Sequence, residues 1–172
     1  MELNRKDRWI LYNQHKILAK LYPNEADYYD RAAEAIGDGY AYEYSHLAQN
    51  IYERGLSEDQ CIFVYSVMGM FMRLKWAYED LSHEDKADIP THKIEFRGFD
   101  GNNETMYLGY ARWIVKEGQS FQNIKDGGDG LNSHMPTLNL YRNMLAVWKS
   151  RELETKEKIT KDDIVAVTSA TY

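Results

Sequence analysis

Ser57-Glu58-Asp59-Gln60 opens the stretch that most limits what this chain can fold into. The spacing is that of a capping box: the Ser57 hydroxyl can accept from the Gln60 backbone N–H, and the Gln60 side chain from that of Ser57. Ile62, Phe63, Val64, Tyr65, Val67, Met68, Met70, Phe71 and Met72 follow, apolar around nearly the whole circumference of a helix. Such a helix, reaching about Leu81, has little face for water, so other helices are expected to wrap it. Gly69 lowers its propensity by about 1 kcal/mol, and close approach of a second helix is the expected compensation.

The remaining punctuation is helical too. Asn4 can cap a helix over about residues 5–22, ended by Pro23, and Asn24 one over about 25–36, ended by Gly37 and Gly39. A short helix over 45–54 stops at Gly55, and residues 82–91 read as a polar loop. Asn102 or Asn103 opens a helix to about Glu117, whose apolar arc of roughly 200° leaves Thr105, Gly109, Arg112 and Lys116 as a polar stripe. A further helix over about 136–149 is apolar on one half, and Thr160, with Asp163 three residues on, caps a short last one. Residues 93–99, KIEFRGF, alternate enough for a short strand, with aromatic residues 40–44 as the expected partner in a two-stranded ribbon. The sum is an all-α fold, a single multihelical domain around a buried central helix. Residues 1–150 form its helical body, and 151–172 a charged linker and short helix packed on it. The helical periods exclude a doubly wound sheet.

A chain of 172 residues, 44% hydrophobic, can bury one substantial core. Its longest apolar run, residues 61–72, is interrupted by Ser66 and Gly69 and is too short to span a bilayer. MELNRKDRWI lacks the apolar segment of a signal peptide. With Cys61 as the one cysteine, neither an intrachain disulfide nor a multi-cysteine zinc site can form. The expectation is a cytoplasmic protein with no membrane partner. A net charge of −6 opposes a general phosphate-binding surface, so nucleic acid is disfavoured as a partner, although Arg5, Lys6 and Arg8 form a local basic cluster. The alternating charges of residues 151–163 read as a solvated face or linker.

Residues 124–136, IKDGGDGLNSHMP, concentrate glycine, aspartate and asparagine. An EF-hand counted from Asp126 would put Gly128 third, Leu131 sixth and Thr137 twelfth, where calcium needs an oxygen ligand, a glycine and a bidentate glutamate. No strand precedes the loop and no Gly-Lys-Ser/Thr closes it, which removes a phosphate loop. A backbone nest for an anion is the minor reading. The stronger one is a connector, with glycines for positive φ, Asn132 or Ser133 as a cap, and Pro136 in the next helix's first turn. His83 and His92 bracket Glu84, Asp85 and Asp88 without a metal-ligand spacing, and His46 and His134 have no evident partner. No metal and no cofactor is implied.

On the first helix, at about 100° per residue, Ile10, Leu11, Ile17, Leu18 and Leu21 fall within one apolar arc with Gln14 in its middle. An amide buried there without partners would cost about 1–3 kcal/mol, so Gln14 is expected in a satisfied core or a subunit interface. Arg8 and His15, seven residues apart, are nearly aligned on the arc's flank. That spacing resembles the active site of HEPN ribonucleases, helical proteins that cut RNA without a metal and join arginine and histidine at a dimer interface. The resemblance implies His15 as proton carrier and Arg8 as stabiliser of phosphate charge.

Four blocks carry a more specific resemblance. RWILYNQHKILAKLYP, YERGL, KIEFRGFDGNNETMYLGYARWIV and MPTLNLYRNMLAVWK, in that order and spacing, are similar to the YfbU family of bacterial proteins from about Leu3 to Lys149. It is carried most by Arg8, Asn13, Gln14, Gly98-Phe99-Asp100, Tyr107-Leu108-Gly109-Tyr110, Arg112 and Trp148. The resemblance implies a helical, cytosolic, self-associating protein and transfers no catalytic residue. His15 departs from it, standing where a member of the family has tyrosine, which counts against the ribonuclease reading. Arg97 replaces an apolar residue, and the tail from Arg151 is longer.

Fourteen tyrosines and four tryptophans exceed what a small core needs, and tyrosine, tryptophan and arginine favour interfaces. Gln14, Tyr28, Tyr29, Tyr40, Tyr42 and Tyr44 are the expected interface, the other reading being that the tyrosines line an aromatic-rich core. The leading expectation is a non-enzymatic helical protein, a homo-oligomer that also binds another protein. The alternative is a ribonuclease using Arg8 and His15. A third is a sensor of a small anion at the Arg112 stripe and the turn over residues 98–103, with Asp100 and Arg112 as ligand-binding candidates.

Overall fold

In a computed structural model the described residues are 1–53, 55–117, 121, 124 and 128–170. They form an all-α protein of eight α-helices with no sheet: α1 (Arg5–Leu21), α2 (Ala26–Asp38), α3 (Ala41–Leu47), α4 (Glu58–Glu79), α5 (His83–Ala87), α6 (Thr105–Glu117), α7 (Leu138–Ser150) and α8 (Lys161–Thr168). The chain divides into two compact units, Met1–Arg54 and Gly55–Tyr172. Among the described residues no helix is long and apolar enough to cross a membrane.

In the first unit α1 starts where a capping box permits. The Asn4 side chain accepts from Lys6 N at 2.8 Å and Asp7 N at 3.0 Å, and Asp7 accepts from Asn4 N at 3.2 Å. Pro23 ends α1 and begins a 3₁₀ turn, Pro23–Glu25, so α2 starts without the expected Asn24 cap. It runs to Asp38, because Gly39 with φ of +82° supplies a left-handed C-cap. Two expectations fail next. Residues 40–44 are not a strand, and the third helix covers Ala41–Leu47, earlier than residues 45–54. α1 packs against α2. The unit's buried residues are Ala19, Ala32, Ala33, Ile36 and Tyr44.

The second unit is built on α4. Its capping box forms, with Gln60 N donating to Ser57 Oγ at 3.3 Å and Ser57 N to Gln60 Oε1 at 2.8 Å. Val64, Val67, Met68, Met70, Phe71 and Leu74 are buried, and α4 packs against α6, α7 and α8. The wrapping is incomplete, however, since Ile62 and Tyr65 remain exposed. Gly69 has no close helix either, because a Cβ there would meet nothing within 4 Å. Ser82 caps α5 inside what read as a loop.

No strand forms over residues 93–99, whose one bridge is an isolated parallel pair, Phe99 with Asn132. The alternation is nonetheless physical: Ile94 and Phe96 are buried while Glu95 and Arg97 are exposed. Phe96 and Phe99 enter an aromatic cluster with Phe71 and Tyr141, at ring separations of 5.4–5.8 Å. Side-chain packing therefore holds residues 94–99, which follow the 3₁₀ turn Thr91–Lys93, without a ladder.

Beyond α7, Glu152, Glu154, Glu157, Lys158 and Asp162 are exposed as expected, but Asp163 is buried and the segment is not free. Leu153 and Ile159 are buried, and Arg73 donates to Glu154 O at 2.5 Å and Lys156 O at 2.6 Å. The Thr160–Asp163 capping box starts α8, whose Ile164 and Val167 complete the core.

Candidate functional site

α1 turns its apolar arc outward. Of its seventeen residues only Ala19 is buried, while Ile10, Ile17 and Leu21 are 44, 59 and 66% exposed, and Gln14 is exposed among them. Leu11 and Leu18, on the arc's flank, are half-buried. The side presented to α2 is the one bearing Arg8, His15 and Ala19. Arg8 Nη1 donates to Gly37 O at 3.4 Å, and His15 Nδ1 is 2.8 Å from Leu11 O, so that nitrogen carries the proton. The His15 ring lies 6.3 Å from that of Tyr29. Seven residues span about 10 Å along a helix, and the two side chains take separate partners, Gly37 O and Leu11 O.

The tyrosines separate. Tyr44 is buried, which removes it from any surface patch, and Tyr29 is half-buried, with its ring 5.3 Å from Tyr28. Burial, helped by Glu25, pushes the Tyr29 phenol up. Tyr28, Tyr40 and Tyr42 are exposed, and a hydrogen bond to Asp38 raises the Tyr40 phenol.

Asp100 belongs to a buried polar junction whose centre is Glu104, whereas Arg112 is exposed on α6. The Glu104 carboxylate, 4% exposed, accepts from Asp100 N at 3.0 Å, Thr137 N at 2.8 Å and Leu138 N at 2.9 Å, and lies 2.9 Å from the Thr137 hydroxyl. It thereby caps α7 from the start of α6, a function it serves better by charge than a neutral acceptor would. Gly98 is the junction's backbone hinge. Its φ is +85°, a Cβ would fall 1.6 Å from Leu131 O, and its carbonyl faces Thr137 Oγ1 at 3.1 Å and Tyr141 Oη at 3.0 Å.

Asp100 is itself buried. It accepts from Asn103 Nδ2 and from Asn102 N at 3.1 Å, and these bonds, led by Asn103, hold its carboxyl below the usual range. Arg112 donates through Nε to Gly130 O. Asp100 is thus engaged by its own turn, while Arg112, exposed on α6, reaches the loop carbonyls of Asp129 and Gly130. The described part of the glycine-rich loop, residues 128–136, serves as a connector held by Arg112, by Asn132 to Gly101 N at 2.9 Å, and by His134 on Asp129. Asp126, from which the calcium count began, lies outside the described residues.

Asp163 forms a second junction. Nearly inaccessible, it accepts from Arg151 at 2.8 Å, Lys156 at 2.6 Å and both the N and Oγ1 of Thr160. Burial would raise its carboxyl, but Lys156, Thr160 and Arg151 hold it far below the ordinary value. Among the described residues no group of three His, Cys, Asp or Glu side chains gathers as a metal would need.

Sequence reasoning missed Glu104 and Thr137. An acidic residue just ahead of a helix was visible, but its partner lies thirty-three residues on, beyond any local spacing rule.

The chain is therefore a helical protein of two units whose buried polar junctions are architectural and whose first helix presents an uncovered apolar face. The family model for the YfbU domain matches residues 1–170, and the chain belongs to the YfbU family.

Proposed function

We propose that this protein is non-enzymatic and acts by association, first with a second copy of itself, through the open face of α1. One observation carries the reading: a seventeen-residue helix buries a single alanine while Ile10, Ile17 and Leu21 face water. Ile10, Gln14, Ile17 and Leu21 are spaced four, three and four apart, the repeat of a left-handed helix–helix seam. A second copy would bring Gln14 opposite Gln14, where each amide donates to the other and a lone polar residue sets the register. Exposed Tyr28, Tyr40 and Tyr42 offer further contact area to this copy or to another protein. The occupied side chains of Arg8, His15, Asp100 and Arg112 support the non-enzymatic half of the reading.

Light scattering tests it. The wild type is expected to dimerise at micromolar concentration, and Ile17→Glu, at an exposed position that leaves the subunit fold intact, to weaken the dimer by at least about a hundredfold. A monomeric wild type, or an Ile17→Glu variant that associates as before, would sink the proposal.

A further inference from the structure

The second unit contains a cavity of about 230 Å³ whose floor is apolar and whose mouth is charged. Phe71 of α4 and Leu140, Tyr141 and Met144 of α7 line the floor, and Lys93, which closes the 3₁₀ turn Thr91–Lys93, stands at the mouth with Glu95 and Arg97 beyond it. The position of Glu95 and Arg97 follows from the alternation already described. Ile94 and Phe96 enter the core, so residues 95 and 97 share the open side.

What distinguishes this mouth is Arg97, the one arginine of the second unit with no side-chain hydrogen bond or ion pair among the described residues; Lys93 beside it is unpaired as Lys75, Lys149 and Lys158 are. Arg73, Arg112, Arg142 and Arg151 each donate to a carbonyl, amide or carboxylate oxygen of their own unit. Lys156 and Lys161 are likewise paired with carboxylates. Arg97 and Lys93 have no ion pair or side-chain hydrogen bond among the described residues, and Glu95 stands between them without closing on either. The mouth therefore sets Arg97 and Lys93 against Glu95, with His92, Thr168 and Ser169 also lining the cavity above its apolar floor.

We propose that this cavity binds a small monocarboxylate with an apolar body, its carboxylate on Arg97 and Lys93 and its hydrocarbon part on Phe71, Leu140 and Met144. At about 30 Å³ per water the space holds roughly eight waters, and so a ligand of roughly ten non-hydrogen atoms. The planar guanidinium of Arg97 suits bidentate pairing with a carboxylate. Because it lies in the second unit and uses none of the α1 face, the site stands or falls separately from the association reading.

3-Phenylpropionate is a suitable probe, with 3-phenylpropionamide as its uncharged control, in titrations of the full chain followed by amide NMR shifts. The acid is expected to bind with a dissociation constant near about 1 mM, as its size allows, and to shift residues 93–97, 140–144 and 168–170. Arg97→Gln, at an exposed position, should weaken it by about tenfold, and Leu140→Trp, which fills the cavity, should abolish it. Retention of the native spectrum by each variant is checked first; Arg97→Glu substitutes for Leu140→Trp if the tryptophan variant unfolds, and should also abolish binding. No saturable shift with the wild type, shifts mapping elsewhere, equal binding of the amide, or undiminished binding by Arg97→Gln would each overturn the proposal.

Discussion

Replacing Glu104 by alanine takes the acceptor from three backbone N–H groups at once. Asp100 N, Thr137 N and Leu138 N lose bonds of 3.0, 2.8 and 2.9 Å. The Thr137 hydroxyl is spared, because Gly98 O stands 3.1 Å away to receive it. Asp100 and Thr137 are 2 and 0% exposed, so water cannot replace what is lost there. An orphaned buried donor costs about 1–3 kcal/mol, and the half-buried Leu138 adds less. The sum is about 3–5 kcal/mol, a large share of the 5–15 kcal/mol that is roughly typical of folded proteins. Glutamine should do less harm. Its remaining oxygen can keep Thr137 N and Leu138 N, while its amide nitrogen faces Asp100 N donor to donor, for a loss of about 1–2 kcal/mol. Guanidinium unfolding followed by tryptophan fluorescence reads the effect in the right unit, since Trp148 is 2% exposed and Trp9, Trp76 and Trp113 are 69, 49 and 55% exposed. An alanine variant within about 1 kcal/mol of wild type, or a glutamine variant as unstable as alanine, would refute the capping role.

Gly69→Ala should stabilise α4 by about 1 kcal/mol, because the added methyl meets nothing and only the helix propensity changes; a thermal melt that shifts downward would mean that a neighbour does approach. Asp163→Asn should destabilise at neutral pH and progressively less in acid. The folded-state carboxyl is held below its unfolded value, so its contribution is complete above about pH 4 and fades as pH falls toward the folded value. Unfolding free energies of both proteins across that range check the sign, and a difference independent of pH would contradict it.

What was readable in the sequence was local. Asn4, Ser57 and Thr160 declare helix starts because both halves of each box lie within three residues. The polar stripe of Thr105, Gly109, Arg112 and Lys116 on α6 is exposed throughout, since one helix period orders it. Trp113 breaks the apolar side of the same helix by lying outside, stacked on Tyr110 at 5.9 Å. The misses were non-local. Residues 40–44 carry strand-forming aromatics, yet a helix buries Tyr44. Alternation at Ile94 and Phe96 correctly marked one buried side, but alternation cannot say whether a strand or a set of rings supplies the partner. Asp100 and Arg112 stand out in the sequence as candidates for an anion site. The Asn103 partner of Asp100 lies three residues on, within local reach, but the Gly130 carbonyl that Arg112 meets is eighteen residues away and invisible until the chain closes.

α1 and α4 together show where periodicity stops being informative. Both carry apolar residues on well-defined faces, and spacing alone says which residues share a face, not what covers it. In α4 the cover comes from α6, α7 and α8, and six of its residues are buried. In α1 the neighbour is α2, whose contribution to burial is two alanines and Ile36, so the side facing α2 can be narrow and polar enough to include Arg8 and His15. A unit of about fifty residues with such small side chains inside gains little from its own interior. On the association reading, the missing apolar burial is supplied by the second copy, and the stability of the first unit then rises with protein concentration by mass action. On that same reading the apolar arc of α1, for which the sequence leaves a core or a subunit interface open, takes the second of these.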